Sequence, residues 1–345
     1  MRRAALALVV IAAVGGCFKA RYVGQAALGQ ADLLVRARPI DEVIRDPSTP
    51  VRTAMVLAEI GSIKTYGRSY GLELTSKYTK YTKLDRRAAV WFVGASSPVR
   101  FEPLKWCFPI AGCFQGLGWF DEEDALDFEA DLKKQGLDTV ERGASAYSTG
   151  KFFPDPLLST MIGGGDDTLP YFANTVLHES VHATVLVPDE PPFNESIAQY
   201  IADVLTDDYI RERFGPGSPE DVAWTFGQAL GRARTVRVSQ TYKELKALYA
   251  QKLPDKDTLA KKAAIIDALV ADLKLHSRPN NATLGESNVY NGGLEPLHDA
   301  HVACGDIKRF IAAAKTIKRD DFTKDLQDDL APVAALIARR CRESR

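Results

Sequence analysis

The chain has 345 residues and is 46% apolar, enough to bury a substantial core, so wholesale disorder is excluded. Lysine plus arginine number 44 against 45 aspartate plus glutamate, and a net charge of −1 leaves no basic field for a nucleic-acid partner. No apolar run approaches 18 residues, which excludes a spanning helix in the body of the chain, and five cysteines are too few for a disulfide framework.

The first sixteen residues read as an address. Arg2 and Arg3 precede the unbroken apolar run Ala4 to Val14, and Gly15, Gly16 and Cys17 follow, as in a secretory signal with a small-residue cleavage site. Val14-Gly15-Gly16-Cys17 resembles the bacterial lipobox. That resemblance implies cleavage before Cys17, lipidation of its sulfur, and a mature protein anchored to a membrane of the cell envelope, facing the periplasm or the exterior. An ordinary secretory signal with an incidental cysteine is the alternative. Removing residues 1–16 takes the net charge from −1 to −3.

Residues 18–83 carry helical stripes, including Leu28, Ala31, Leu34 and Val35. Residues 88–120 are short, aromatic and punctuated by glycine, which suits strands. Asp121 to Gly136 repeats Ala125, Phe128 and Leu132 at helical spacing, with Gly136 as its stop, and Leu137 to Ser148 reads as a further strand. From Thr168 the pattern is helical almost to the end, with breaks at 188–192, 215–219 and 278–296. The expectation is an α+β fold, mostly helical. A single domain over 17–345 would hold a small sheet at about 88–148, two central helices at about 168–212 and a helical C-terminal part at about 220–345. In an oxidising compartment the cysteines tend to pair. Four of them allow three connectivities, and the short loop between Cys107 and Cys113, with Pro109 and Gly112 to turn the chain, favours that pair; Cys304 and Cys341 remain as a second.

The chemistry concentrates in Val176-Leu177-His178-Glu179-Ser180-Val181-His182. Histidine is scarce, 5 in the chain, so H-E-x-x-H is an improbable accident. On a helix starting near Asp167 or Thr168, His178 and His182 share a face one turn apart and can reach one metal ion. Glu179 projects about 100° away, where a general base takes a proton from metal-bound water. Downstream, Asn194-Glu195-Ser196 opens another helical stretch after Pro188, Pro191 and Pro192 turn the chain back. Glu195 would then face both histidines, and two histidines plus a glutamate form a catalytic Zn2+ set.

These two motifs resemble the gluzincin zinc metallopeptidases. More closely, the chain resembles a family of bacterial lipoproteins described as predicted aminopeptidases. Arg38-Pro39-Ile40-Asp41, Trp106-Cys107-Phe108-Pro109, Ala146-Tyr147-Ser148-Thr149, Phe193-Asn194-Glu195-Ser196 and Asn280-Asn281-Ala282 carry that likeness. The family helix reads more like H-E-L-A-H-Q, and Ser180 and Ala183 depart from it. The resemblance implies a zincin-like fold, a peptide substrate and an aminopeptidase activity. It also implies a strand upstream of the zinc helix, Gly143 to Ser148, that holds substrate by strand addition. Tyr290 is the candidate donor to the developing oxyanion, a core tyrosine being the alternative. Asp155, Asp189 and Glu190 are the acids near the motifs in sequence that a free α-amino group would require. His298 and His301 lack a matching glutamate and read as surface or partner-pairing residues. The rival to an enzyme is a non-catalytic, zinc-containing or peptide-binding envelope lipoprotein. A zinc hydrolase of cell-wall or small amide substrates is a third reading.

Overall fold

The computed structural model describes residues 2–343 other than 74–77, 110–111, 148–153 and 166, with side chains from residue 18 onward. The side chains of the expected leader 1–16, the Cys17 thiol, and Ser148 with Thr149 lie outside the described residues. The fold is α+β and mostly helical, with small sheets.

Helix α1 spans Arg2–Val35, strand β1 Arg38–Pro39, and three short helices follow, α2 (Ile40–Arg45), α3 (Val51–Ala58) and α4 (Ile60–Ser69). Leu33, Val43, Leu57 and Ile63 carry them into the main core. Strand β2 (Lys80–Thr82) pairs antiparallel with β1. The uninterrupted helical character expected over 18–83 is therefore broken twice, by pieces too short to show a period of two.

Strands β3 (Val90–Ser96), β4 (Trp106–Phe108), β5 (Gly112–Phe114) and β6 (Gly116–Trp119) precede α5 (Glu122–Lys134) and β7 (Asp138–Ala144). The order β6-β3-β7 makes an antiparallel sheet with β7 at an edge. Alternation divides β3. Trp91, Val93 and Ala95 join Trp119, Leu132 and Phe128 in a second core that also takes Phe18 and Tyr22 of α1, while Phe92 and Gly94 line a cavity on the other side. Helix α5 obeys local rules at both ends. Asp121 accepts the Asp124 N–H, acids fill the first turn and lysines the last, and Gly136 follows at φ +77°. Cys107 and Cys113 are bonded across the β4–β5 hairpin. Strand β7 stops at Ala144, four residues short of the expected Ser148. Its continuation leaves the sheet because Tyr147 packs edge-on to Phe120, 5.1 Å between ring centres, against the main core.

Strand β8 (Leu157–Leu158) pairs parallel with β2. Helices α6 (Thr168–Thr184) and α7 (Pro191–Phe214) then occupy the centre, with Phe172, Val176, Phe193, Ile197 and Ile201 fully buried between neighbours. After them come α8 (Pro219–Ala250), α9 (Asp255–Leu273), α10 (Asn281–Asn291), α11 (Leu294–Cys304), α12 (Ile307–Ala314) and α13 (Ala331–Glu343). Leu245, Leu248, Ile266, Leu269 and Leu284 unite α8, α9 and α10 in a third, smaller core. The break expected over 278–296 is mostly helix. The Asn280 side chain accepts the N–H groups of Ala282 and Thr283, so it caps α10 inside the expected break. Among the described residues no helix is long and apolar enough to cross a membrane.

Cys304 and Cys341, both fully buried, join α11 to α13. A cross-link over 37 residues restricts the unfolded chain far more than one over 6. The Cys304→Ala/Cys341→Ala double variant should lose about 4 kcal/mol of unfolding free energy, and the 107–113 double variant about 2 kcal/mol. Urea denaturation of the oxidised proteins checks both; equal losses would contradict the loop-length argument.

Candidate metal centre and adjoining cleft

Helix α6 buries Val176, Leu177 and Val181, which turns His178 and His182 to the opposite side, one turn apart, with their Nε2 atoms 3.1 Å from each other. Ser180 is buried among the apolar residues and sends its hydroxyl back to the Val176 carbonyl at 2.7 Å, so the helix tolerates a polar group there. Asp167 stands at the N-cap but makes no side-chain capping bond.

The chain reverses between Val185 and Glu190, with Asp189 at φ +59°. Pro191 and Pro192 fill the first turn of α7, where their missing N–H groups cost nothing. Asn194 fixes the reversal. Its amide accepts the Val187 N–H at 2.8 Å and donates to the Val187 carbonyl at 2.7 Å, replacing the backbone partners that the turn denies that residue. The next residue, Glu195, is thereby set opposite α6. Its Oε2 lies 3.4 Å from His178 Nε2 and its Oε1 3.6 Å from His182 Nε2.

Donor atoms about 2.0–2.1 Å from a tetrahedral ion lie about 3.3 Å from one another. The three separations here, 3.1, 3.4 and 3.6 Å, fit that requirement, and two imidazoles with a carboxylate form a donor set suited to zinc. Glu179 shares a group with the two histidines in which all ligand atoms lie within 4.8 Å. Two carboxylates thus compete for the third place. Glu195 is the better placed of the two, since it turns one oxygen to each imidazole, while Glu179 follows His178 directly on the helix. Burial by itself would raise the Glu195 pKa; the two imidazoles outweigh it and hold the carboxyl at about 2.

A second polar layer lies behind. Glu195, Gln199 and Asp203 recur at every fourth position of α7, and Asp203 accepts from Gln199 at 2.7 Å and from Asn174 of α6 at 2.9 Å. Burial pushes Asp203 up to about 6, against the pull of those bonds and of His178.

Tyr290 sits on α10, which is tied to α7 by the Ser196 hydroxyl on the Val289 carbonyl at 3.2 Å. Tyr290 and Glu195 line one cleft of about 600 Å³ that runs along Phe92 and Gly94 of the sheet. Burial, then the Glu195 charge, raise the Tyr290 phenol well above its usual range, with the hydrogen-bonded Arg142 opposing. Tyr290 therefore stays a proton donor at neutral pH.

The remaining candidates fall elsewhere. Asp155 is buried and receives Gln30 at 3.3 Å. Glu190, fully buried, accepts the Gln327 N–H at 2.9 Å, and the Asp189 carbonyl accepts the Leu326 N–H at 3.1 Å, so this pair anchors the segment before α13. His301 and His298 face Tyr200 at 2.8 and 3.5 Å. Tyr200 is five residues from Glu195, about 140° around α7. Two residues were not foreseen: Glu286, which lines the cleft, and Arg142, which is bonded to it. Glu286 precedes Tyr290 by four, a helical pairing that becomes legible once Asn280 is read as a cap.

A family model described as "Putative aminopeptidase" matches residues 21–327. No curated protein and no solved structure matches the chain.

The Asn194 clamp can be tested directly. Asn194→Ala strands a buried N–H and a buried carbonyl, and should cost about 2–4 kcal/mol in urea unfolding. An unchanged midpoint would show that the turn holds without it.

Proposed function

Since the chain belongs to the "Putative aminopeptidase" family, we propose that it is a zinc-dependent peptidase of the gluzincin type, zincin-like in fold, that acts as an aminopeptidase. The observation that supports this most is the triangle of His178, His182 and Glu195 with Glu179 at its side. These three residues hold the ion. When bound, zinc supplies a Lewis acid for the scissile carbonyl and makes water more acidic.

The remaining work belongs to side chains. Glu179 takes the proton of the attacking water and passes it to the leaving amine. Tyr290, kept protonated by burial and by the neighbouring Glu195, donates to the oxyanion. The outer edge of β7 near Gly143 and Ala144, away from β3, pairs with the substrate backbone. Gly143 meets a local need as well, since a Cβ there would lie 2.9 Å from Ala88.

The same reading puts the protein in a bacterial cell envelope, anchored through lipid on Cys17. Phe18, the next residue, packs on Phe128 with ring centres 5.3 Å apart. An anchor at Cys17 would hold the body at the membrane surface with almost no linker.

Purified protein should carry about one zinc per chain by metal analysis, and His178→Ala should lose it. Glu179→Gln should keep the zinc and lose about 10²–10⁴-fold in peptide hydrolysis. Full activity in Glu179→Gln, or a folded protein with no affinity for zinc, would refute the mechanism.

A further inference from the structure

The cleft that begins at Glu195 is acidic: Glu102, Glu195, Glu286, Asp325 and Asp328 line it against two lysines. Four of these acids are engaged. Glu195 belongs to the metal centre. Asp325 pairs with Arg319, Asp328 with Lys246 and Lys324, and Glu102 with Arg100. Glu286 differs. Its side chain is 16% exposed, and both Arg142 contacts, from Nε and Nη2 at 2.6 Å, fall on a single oxygen, Oε1.

Arg142 is itself held from several sides. Its guanidinium lies 5.4 Å from the centre of the Phe92 ring and is hydrogen-bonded to Tyr290. The Phe92 ring in turn rests on Gly116, where a Cβ would come within 2.1 Å of it. A planar fork so fixed holds one carboxylate oxygen in place and leaves Oε2 to a donor in the cleft. The Arg142 guanidinium is turned to Glu286, and Glu195 lines the same cleft, so a cationic group is favoured over an anionic one beside Glu286.

We propose that Glu286 receives the free α-ammonium group of the peptide substrate and that Arg142 is the residue that positions it. The inference rests on the peptidase reading above and gives it a basis for end preference. Glu286 and Tyr290 are one helical turn apart on α10, about 6 Å along the axis. That is the length of one to two residues of extended peptide. An ammonium held at Glu286, with the scissile carbonyl at Tyr290, puts the cut one or two residues from the N-terminus.

The test is equilibrium binding, followed by kinetics. Tetra-alanine amide and its N-acetylated twin are titrated calorimetrically into zinc-loaded Glu179→Gln protein, with and without Glu286→Gln. Glutamine keeps an acceptor oxygen for Arg142 and puts an uncharged NH2 donor in place of the oxygen left to the ammonium. Glu286→Gln should weaken the free-amine peptide about 10–100-fold and leave the acetylated one unchanged. With Glu179 intact, KM for the free-amine peptide should rise more than kcat falls. Arg142→Met should show the same selective loss, and Arg142→Lys should restore part of it. Equal effects on both peptides, or none on either, overturn the proposal. So does wild-type protein that binds and cleaves the two peptides alike, which leaves the peptidase reading standing and needs no variant to fold. Glu286-dependent binding of the free-amine peptide with no hydrolysis by wild-type protein would uphold the anchor and refute the peptidase reading instead.

Discussion

A carboxylate facing two imidazoles across the α6–α7 junction is the interaction on which the rest of the molecule depends. The Glu195 side chain is only 25% exposed, and a carboxylate so far from water is tolerable only where groups favouring its charge surround it. His178 and His182 supply that compensation at 3.4 and 3.6 Å, and the margin for error is small. A shift of one residue in either helix would turn a side chain by about 100° and lose the arrangement. The two helices accordingly bury Phe172, Val176, Phe193, Ile197 and Ile201 completely, and the turn between them is locked by an asparagine side chain where a flexible loop could have served.

The opposite wall of the cleft is built on independent supports. The β6-β3-β7 sheet stands on its own aromatic core with α5, and α10 on a third core with α8 and α9. Arg142 comes from the sheet, Glu286 and Tyr290 from the helix, and the ion pair between them joins the two. Side chains mounted on strands and helices whose own packing is complete are held more closely than side chains on loops. That suits a cleft in which the Tyr290 hydroxyl and the Glu286 carboxylate keep a fixed distance from Glu195. Elsewhere, acids that look available in sequence serve the scaffold. Glu190 is wholly buried and spends its charge on the 319–327 segment.

Much was legible in the sequence because the governing rules are local. The spacing of His178 and His182 places them on one face of any helix, and the prolines at 188, 191 and 192 dictate a reversal before Glu195. Helix α5 could be read from Asp121 to Gly136 by the spacing of Ala125, Phe128 and Leu132 and the glycine that stops it. Where local signals were short or double-edged the reading failed. Strands β1, β2 and β8 are two or three residues long and carry no period. Asn280 and its neighbours resembled a loop because asparagine favours loops and helix caps equally. Strand β7 ended early because a distant core claimed Tyr147, which nothing in its flanking residues announces.

The sequence by itself determined the chemistry on offer: two imidazoles and two carboxylates at helical spacing, within an α+β chain rich in helix. Only the tertiary structure decided which carboxylate meets both imidazoles, that Tyr290 shares a cleft with Glu195, and that Arg142 and Glu286 meet across 144 residues of chain. The physical reason is the range of the forces concerned. Helical spacing and capping act within a few residues and leave a pattern that can be read along the chain. A contact between distant segments exists only after separate cores have packed and paid the entropy of closing long loops, and that outcome belongs to the fold as a whole.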